Sequence, residues 1–202
     1  MEKNNDVNQS NFWENRYKKD EIGWDLGAET PVFTALSDTL DPGKVCILGC
    51  GNGYDAILFS KKGFSVTAVD FAETPIHNLE TNARSLSLSI ETIKKDIFDL
   101  TPDYSSHFDY IIEQTCFCAI DPLKREQYSN LVYELLKVGG KLIGLWMPLD
   151  KDIDEGGPPF GVKEDEIKML FSNKWKMTAD YFPNQSIEAR KGREKLIIFE
   201  KL

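Results

Sequence analysis

The chain has 202 residues, enough for one domain with a proper core, and its 41% hydrophobic and 28% charged residues are those of an ordinary soluble globular protein. A formal net charge of -9 argues against broad nucleic-acid binding, which needs clustered Lys and Arg to neutralise phosphates, and makes a small molecule the expected partner. No apolar run approaches the roughly 20 residues of a membrane helix, and residues 1–11 carry no apolar signal-peptide core, so a cytoplasmic protein with no membrane partner is expected.

In chain order, residues 12–19 read as a short amphipathic helix with Trp13 and Tyr17 on one face. Thr30-Pro31 opens a second helix to about residue 39. A first strand is expected over 44–48, a helix over 54–62 closed by Gly63, and a second strand over 65–69. Thr74-Pro75 caps a helix whose Ile76, Leu79, Ala83 and Leu86 keep the spacing of one buried face. Strands follow over 90–94 and 108–114. Asp121-Pro122 then pairs an N-cap with a first-turn proline, opening a helix that Gly139-Gly140 ends before a strand over 141–147. A helix over 163–171 and strands over 176–182 and 195–200 complete the chain. Alternating strands and helices predict an α/β fold with a doubly wound, seven-stranded, mostly parallel sheet, a C-terminal antiparallel hairpin and helices on both faces. The acidic residues 150–155 read as a solvated loop.

Three glycines, Gly49, Gly51 and Gly53, follow the first strand, and the second ends at Asp70. Glycines at such a turn let the backbone bend sharply and a ligand approach it, while an acid at the next strand tip accepts hydrogen bonds from a ribose. A dinucleotide fingerprint starting at Gly49 needs a third glycine at position 54, which is Tyr. A NAD-dependent dehydrogenase is therefore the weaker reading of this turn. The four cysteines form no C-x-x-C, and with two histidines in the chain no metal site is expected. Reduced, mostly buried thiols fit the expected compartment. His77 and His107 lie away from the strand ends and are expected to be structural or solvent-facing.

With G-x-G-x-G at 49–53, the segment resembles motif I of the class I S-adenosylmethionine-dependent methyltransferases. Phe12-Trp-Glu-Asn-Arg-Tyr17 with Gly23-Trp-Asp-Leu-Gly27, the block Glu113-Gln-Thr-Cys-Phe-Cys-Ala-Ile-Asp-Pro122, the loop Gly156-Gly-Pro-Pro-Phe160 and the segment Arg190-Lys-Gly-Arg-Glu-Lys-Leu196 are similar to the thiopurine S-methyltransferase superfamily. Within it the likeness is strongest to the thiol and halide methyltransferases of the harmless-to-ozone-layer type, and it spans nearly the whole chain from Phe12.

The resemblance implies a single Rossmann-like methyltransferase domain, 1–202, with residues 1–40 as a helical lid and 41–202 as the core, acting as a monomer with S-adenosyl-L-methionine. It implies that Trp13, Tyr17 and Trp24 cover the cofactor, where core aromatics are the plainer reading. Gly49, Gly51, Gly53, Asp70 and Phe71 would cradle it, with Asp96 and Ile97 at the adenine. Gln114 stands where related chains often carry Tyr, and Glu113 either touches the cofactor's amino-acid part or orients backbone. Phe117, Pro159 and Phe160 would line an apolar acceptor pocket. Met147 replaces a tyrosine of the plant relatives. Arg190 and Arg193 either hold an anionic acceptor or lower its pKa, or are exposed surface charges. The implied reaction is methyl transfer to a small thiol (hydrosulfide, aromatic thiol or thiopurine) and also to halide, by direct displacement, with no catalytic residue assigned. Alternatives are another acceptor (a tellurium or selenium oxyanion, a carboxylate or an amine) or a non-catalytic module that only binds the cofactor.

Overall fold

A computed structural model of the protein describes residues 6–202. The chain divides into two compact units, Met1–Asp99 and Leu100–Leu202.

The first unit holds α1 (Ser10–Lys18), α2 (Pro31–Ser37), β1 (Lys44–Leu48), α3 (Tyr54–Lys61), β2 (Ser65–Asp70), α4 (Glu73–Ser85), β3 (Glu91–Lys94) and a 3-10 turn, Ile97–Asp99. Its strands lie in the order β3-β2-β1, all parallel, with Leu48 opposite Val69 and Asp70 opposite Lys94. Beyond their exposed first residues, β1 and β2 are buried throughout, as strands covered on both faces must be. Parallel neighbours need crossovers, which α3 and α4 supply. Leu79 of α4 packs where a Cβ on Gly53 would stand, so a glycine there lets α4 close onto the turn.

The second unit holds α5 (Thr101–Tyr104), β4 (Phe108–Gln114), a 3-10 turn (Pro122–Lys124), α6 (Arg125–Leu135), β5 (Leu136–Trp146), a 3-10 turn (Ile153–Glu155), α7 (Glu164–Leu170), β6 (Trp175–Tyr181), a 3-10 turn (Glu188–Arg190) and β7 (Lys195–Lys201). Its strands lie in the order β4-β5-β7-β6; β4 and β5 are parallel, and β7 runs antiparallel to both neighbours. The α/β class, the seven strands and the antiparallel hairpin thus agree with the sequence pattern. Under β7, Lys201 is buried and donates its ammonium to the carbonyls of Tyr133 and Leu136, both at 2.7 Å, and it also lies over the Tyr133 ring. It therefore serves acceptors that the end of α6 leaves without intrahelical partners.

Three local expectations are corrected. Gly139-Gly140 does not cap α6, because β5 already begins at Leu136. The pairing jumps from Phe108–Leu136 to Tyr110–Lys141, and Gly139, at φ 77°, takes up the extra residues as a bulge. Asp121 caps the short 3-10 turn, accepting from Leu123 N–H, and α6 starts only at Arg125. Thr74 does not cap α4, which opens one residue earlier on a carboxylate from α1.

Candidate active site

In the first unit the turn after β1 places Gly49, Gly51 and Gly53 at φ 61°, 54° and 78°, a region that side chains rarely adopt. Cys50 N–H reaches back to the Val69 carbonyl, and Gly51 N–H donates to Asp70 Oδ2 at 3.1 Å. Asp70 Oδ1 accepts from Ala72 N–H at 2.9 Å, and Phe71 N–H also points at the carboxylate. Burial pushes the Asp70 carboxyl up to about 6, against the pull of those three amides. With three amides on about four acceptor sites, the carboxylate keeps one for a further donor.

The aromatic residues of the N-terminal segment gather beside this turn. Trp13 and Trp24 meet edge to face with centroids 5.5 Å apart, as do Tyr17 and Trp24 at 5.9 Å. The Tyr17 hydroxyl lies 3.1 Å from where a Cβ on Gly51 would stand. Burial and then the charge of Asp70 raise its pKa far above the usual phenol range, so it stays protonated.

Three polar ties hold this segment, and sequence reasoning named none of them. Glu14 of α1 accepts from the N–H groups of Glu73 and Thr74, both at 2.9 Å, and from the Thr74 hydroxyl, capping α4. Asp25 accepts from the Asn52 amide, and Asp55 from the Thr30 N–H and hydroxyl. Asp96 is half-buried and accepts from Phe98 N–H at 3.1 Å, and Ile97 is buried in the same turn. His77 is exposed on α4 and His107 half-buried before β4.

In the second unit β4 ends at Glu113-Gln114. Glu113 is 1% exposed; Oε1 accepts from the N–H groups of Cys116 and Phe117 at 3.0 and 2.9 Å, and Oε2 from the Tyr128 hydroxyl at 2.5 Å. Of the two roles left open for it, orienting backbone is the one these contacts describe. Burial raises its carboxyl to about 7, although all three donors pull the other way. The turn so pinned holds Thr115 at φ 60°, which is strained for a β-branched residue. Gln114 Nε2 is a buried donor with no hydrogen-bond partner among the described residues.

Phe117, expected to line an apolar pocket, is 1% exposed, with its ring against Tyr128 and Trp146. Pro159 is exposed and Phe160 half-buried, and Phe160 N–H donates to the Cys118 carbonyl at 2.7 Å. Met147 is half-buried before Pro148. Arg190 is 6% exposed, so the reading of it as surface charge is corrected; Glu194, equally buried, stands 3.9 Å away. Arg193 is exposed and paired with Asp150. Among the described residues none of the four cysteines is in a disulfide. Burial raises the thiols of Cys46 and Cys50 far above the ordinary range and that of Cys118 to about 12. Among the described residues no cluster of His, Cys, Asp and Glu could hold a metal ion, and no helix is long and apolar enough to cross a membrane.

A bare, left-handed glycine turn, a buried acid at the next strand tip and an aromatic group beside them, on a seven-stranded α/β fold, define a class I S-adenosylmethionine-dependent methyltransferase. The fold is shared with the 1,6-didemethyltoxoflavin N1-methyltransferase of Burkholderia thailandensis, solved with 1,6-didemethyltoxoflavin and S-adenosylhomocysteine bound, at TM-score 0.71 and 19% identity over 96% of this chain and 87% of that one. The chain belongs to the thiopurine S-methyltransferase family, whose model matches residues 8–200. It is 31% identical to probable thiol methyltransferase 2 of Arabidopsis thaliana over 194 residues, and 31% identical to thiocyanate methyltransferase 1 of the same plant over 195, in each case covering 94% of this chain and 84% of the relative.

Proposed function

We propose that this protein methylates the sulfur of a small thiol or a related sulfur anion, with halide as a further acceptor, and that it works as a cytoplasmic monomer. The observation that carries the reading is the group formed by Gly51, Asp70, Tyr17 and Trp24. Its parts suit a nucleoside bearing a positive charge. Asp70 has a spare acceptor site for a ribose hydroxyl, and the aromatic faces attract a sulfonium by about 0.5–2 kcal/mol, depending on desolvation.

In this reading Gly49, Gly51, Gly53 and Phe71 give the cofactor its backbone cradle. Asp96 and Ile97 meet the adenine, Trp13, Tyr17 and Trp24 cover the reactive end, and the unpartnered Gln114 amide supplies a donor beside the Glu113-pinned turn. Pro159, Phe160, Met147 and Arg190 serve the acceptor, with Phe117 as the buried support behind them. Bound S-adenosylmethionine supplies an electrophilic methyl group; a thiolate takes it, S-adenosylhomocysteine leaves, and the thiol proton goes to solvent. The chain's own task is to bind, orient and exclude water. Near-attack positioning contributes roughly 7–11 kcal/mol, and a desolvated thiolate reacts faster than a solvated one. A thiol of pKa near 8.5 is partly ionised at neutral pH, so no obligatory base is assigned.

The test is a panel of hydrosulfide, an aromatic thiol, a thiopurine and iodide, assayed with radiolabelled methyl donor, beside calorimetry of cofactor binding. Transfer to sulfur is expected, with weakened binding in Asp70→Ala and Trp24→Ala. Transfer confined to nitrogen or oxygen acceptors, or binding unchanged in both variants, overturns it.

A further inference from the structure

Arg125, the first residue of α6, has a side chain that the sequence pattern did not single out. It is 2% exposed, and its guanidinium makes three contacts to different segments of the second unit. Nη2 donates to the Gly161 carbonyl at 2.9 Å, Nη1 to Glu166 Oε2 of α7 at 2.7 Å, and the plane lies over the Phe117 ring, 4.6 Å from its centroid. Stability alone is a poor reason for such a residue. Its Nε is buried with no hydrogen-bond partner. A well-packed apolar side chain of similar volume often supports a fold as well as a buried ion pair does.

What an apolar side chain cannot do is hold the Gly161 carbonyl. Gly161 closes the loop 156–160, and its own place is tight: a Cβ there would run into the backbone of Lys151 and Asp152. The loop is also tied to the 116–118 block by the bond from Phe160 N–H to the Cys118 carbonyl, and Val162 N–H donates to the Pro148 carbonyl at 3.0 Å.

We propose that Arg125 is a positioning residue for the methyl acceptor: by gripping Gly161 and Glu166 while stacked on Phe117, it fixes the loop 156–160 against the 116–118 block and so sets acceptor affinity. This rests on the reading of that loop as the acceptor side. Arg125→Met keeps the volume over Phe117 and removes both hydrogen bonds, while Gly161→Ala disturbs the same point from the loop.

Steady-state kinetics with hydrosulfide and an aromatic thiol, calorimetry with S-adenosylhomocysteine, and amide exchange at Phe160 and Val162 form the test. Expected for each folded variant is a tenfold or greater rise in acceptor KM, cofactor Kd within twofold of the parent, and faster exchange at both amides. An unchanged acceptor KM, or cofactor Kd rising by the same factor, overturns the proposal. If the parent methylates no thiol, the functional reading fails by itself, and exchange then decides: unaltered protection in Arg125→Met overturns the clamp as well.

Discussion

The Tyr128 hydroxyl donates to Oε2 of the buried Glu113, whose other oxygen takes the N–H groups of Cys116 and Phe117. One carboxylate thus holds the turn after β4. Its carboxyl moves from an ordinary 4.5 to about 7 on folding, because burial outweighs its three donors. The folded chain binds the extra proton, so this group's contribution to stability is fully present near pH 4.5 and is lost as pH rises to about 7. Glu113→Gln can accept the two amides on its oxygen and donate to Tyr128, and denaturant melts from pH 5 to 8 are expected to lose that slope. Tyr128→Phe strands Oε2 and is expected to cost about 1–3 kcal/mol.

Asp70 titrates near 6 in the free protein because burial disfavours its charge. Ribose hydroxyls donate best to the ionised form, so cofactor binding is expected to release a proton at pH 5 and none at pH 8. Affinity then falls below about pH 6 by up to tenfold per unit. Calorimetry in two buffers of different ionisation enthalpy reads this directly. Asp70→Asn is expected to bind more weakly at pH 8 and to lose the pH dependence.

Glu14 caps α4 from a different helix. Glu14→Ala is expected to cost about 0.5–2 kcal/mol, the usual worth of a cap, or roughly 2–4 °C of Tm per kcal/mol in a chain of this size. Cofactor affinity should fall with it, since α1 also carries Trp13 and Tyr17. Glu14→Gln, which still accepts, should recover part of both; no loss of affinity in Glu14→Ala would show that α1 is held by other contacts.

Lys201→Met removes the donor to the Tyr133 and Leu136 carbonyls. One buried and one part-buried acceptor lose this donor, and thermal melts are expected to report a loss of about 1–3 kcal/mol, with acceptor and cofactor KM unaltered.

The elements legible in the sequence were those specified by local pattern. The apolar runs of β1 and β2 and the glycines between β1 and α3 each lie within a dozen residues, and the structure places them as read; of the expected α4 face Ile76, Leu79 and Ala83 are buried, but Leu86, just past the last helical residue, is exposed. Gly139-Gly140 was misread because a helix cap and a bulge ask for the same left-handed backbone. Glu14 was missed because its partners lie 59 and 60 residues away, and Arg125 because Gly161 and Glu166 lie 36 and 41 away. A charged side chain at the start of a helix carries no local sign that it is buried. Glu113 was legible as a strand-end acid, yet its role depends on the hydroxyl of Tyr128, 15 residues away on α6.

The state of the four cysteines bears on how such an enzyme survives its own reagent. An activated methyl group is a general alkylating agent for thiolates, and this chain carries thiols at Cys50 inside the glycine turn and at Cys116 and Cys118 beside Phe117. Burial keeps Cys50 protonated and raises Cys118 to about 12, so at neutral pH neither offers the nucleophile that a free small thiol does. The same packing that buries Cys50 and Cys118 therefore withholds these two thiols from reaction with an activated methyl group.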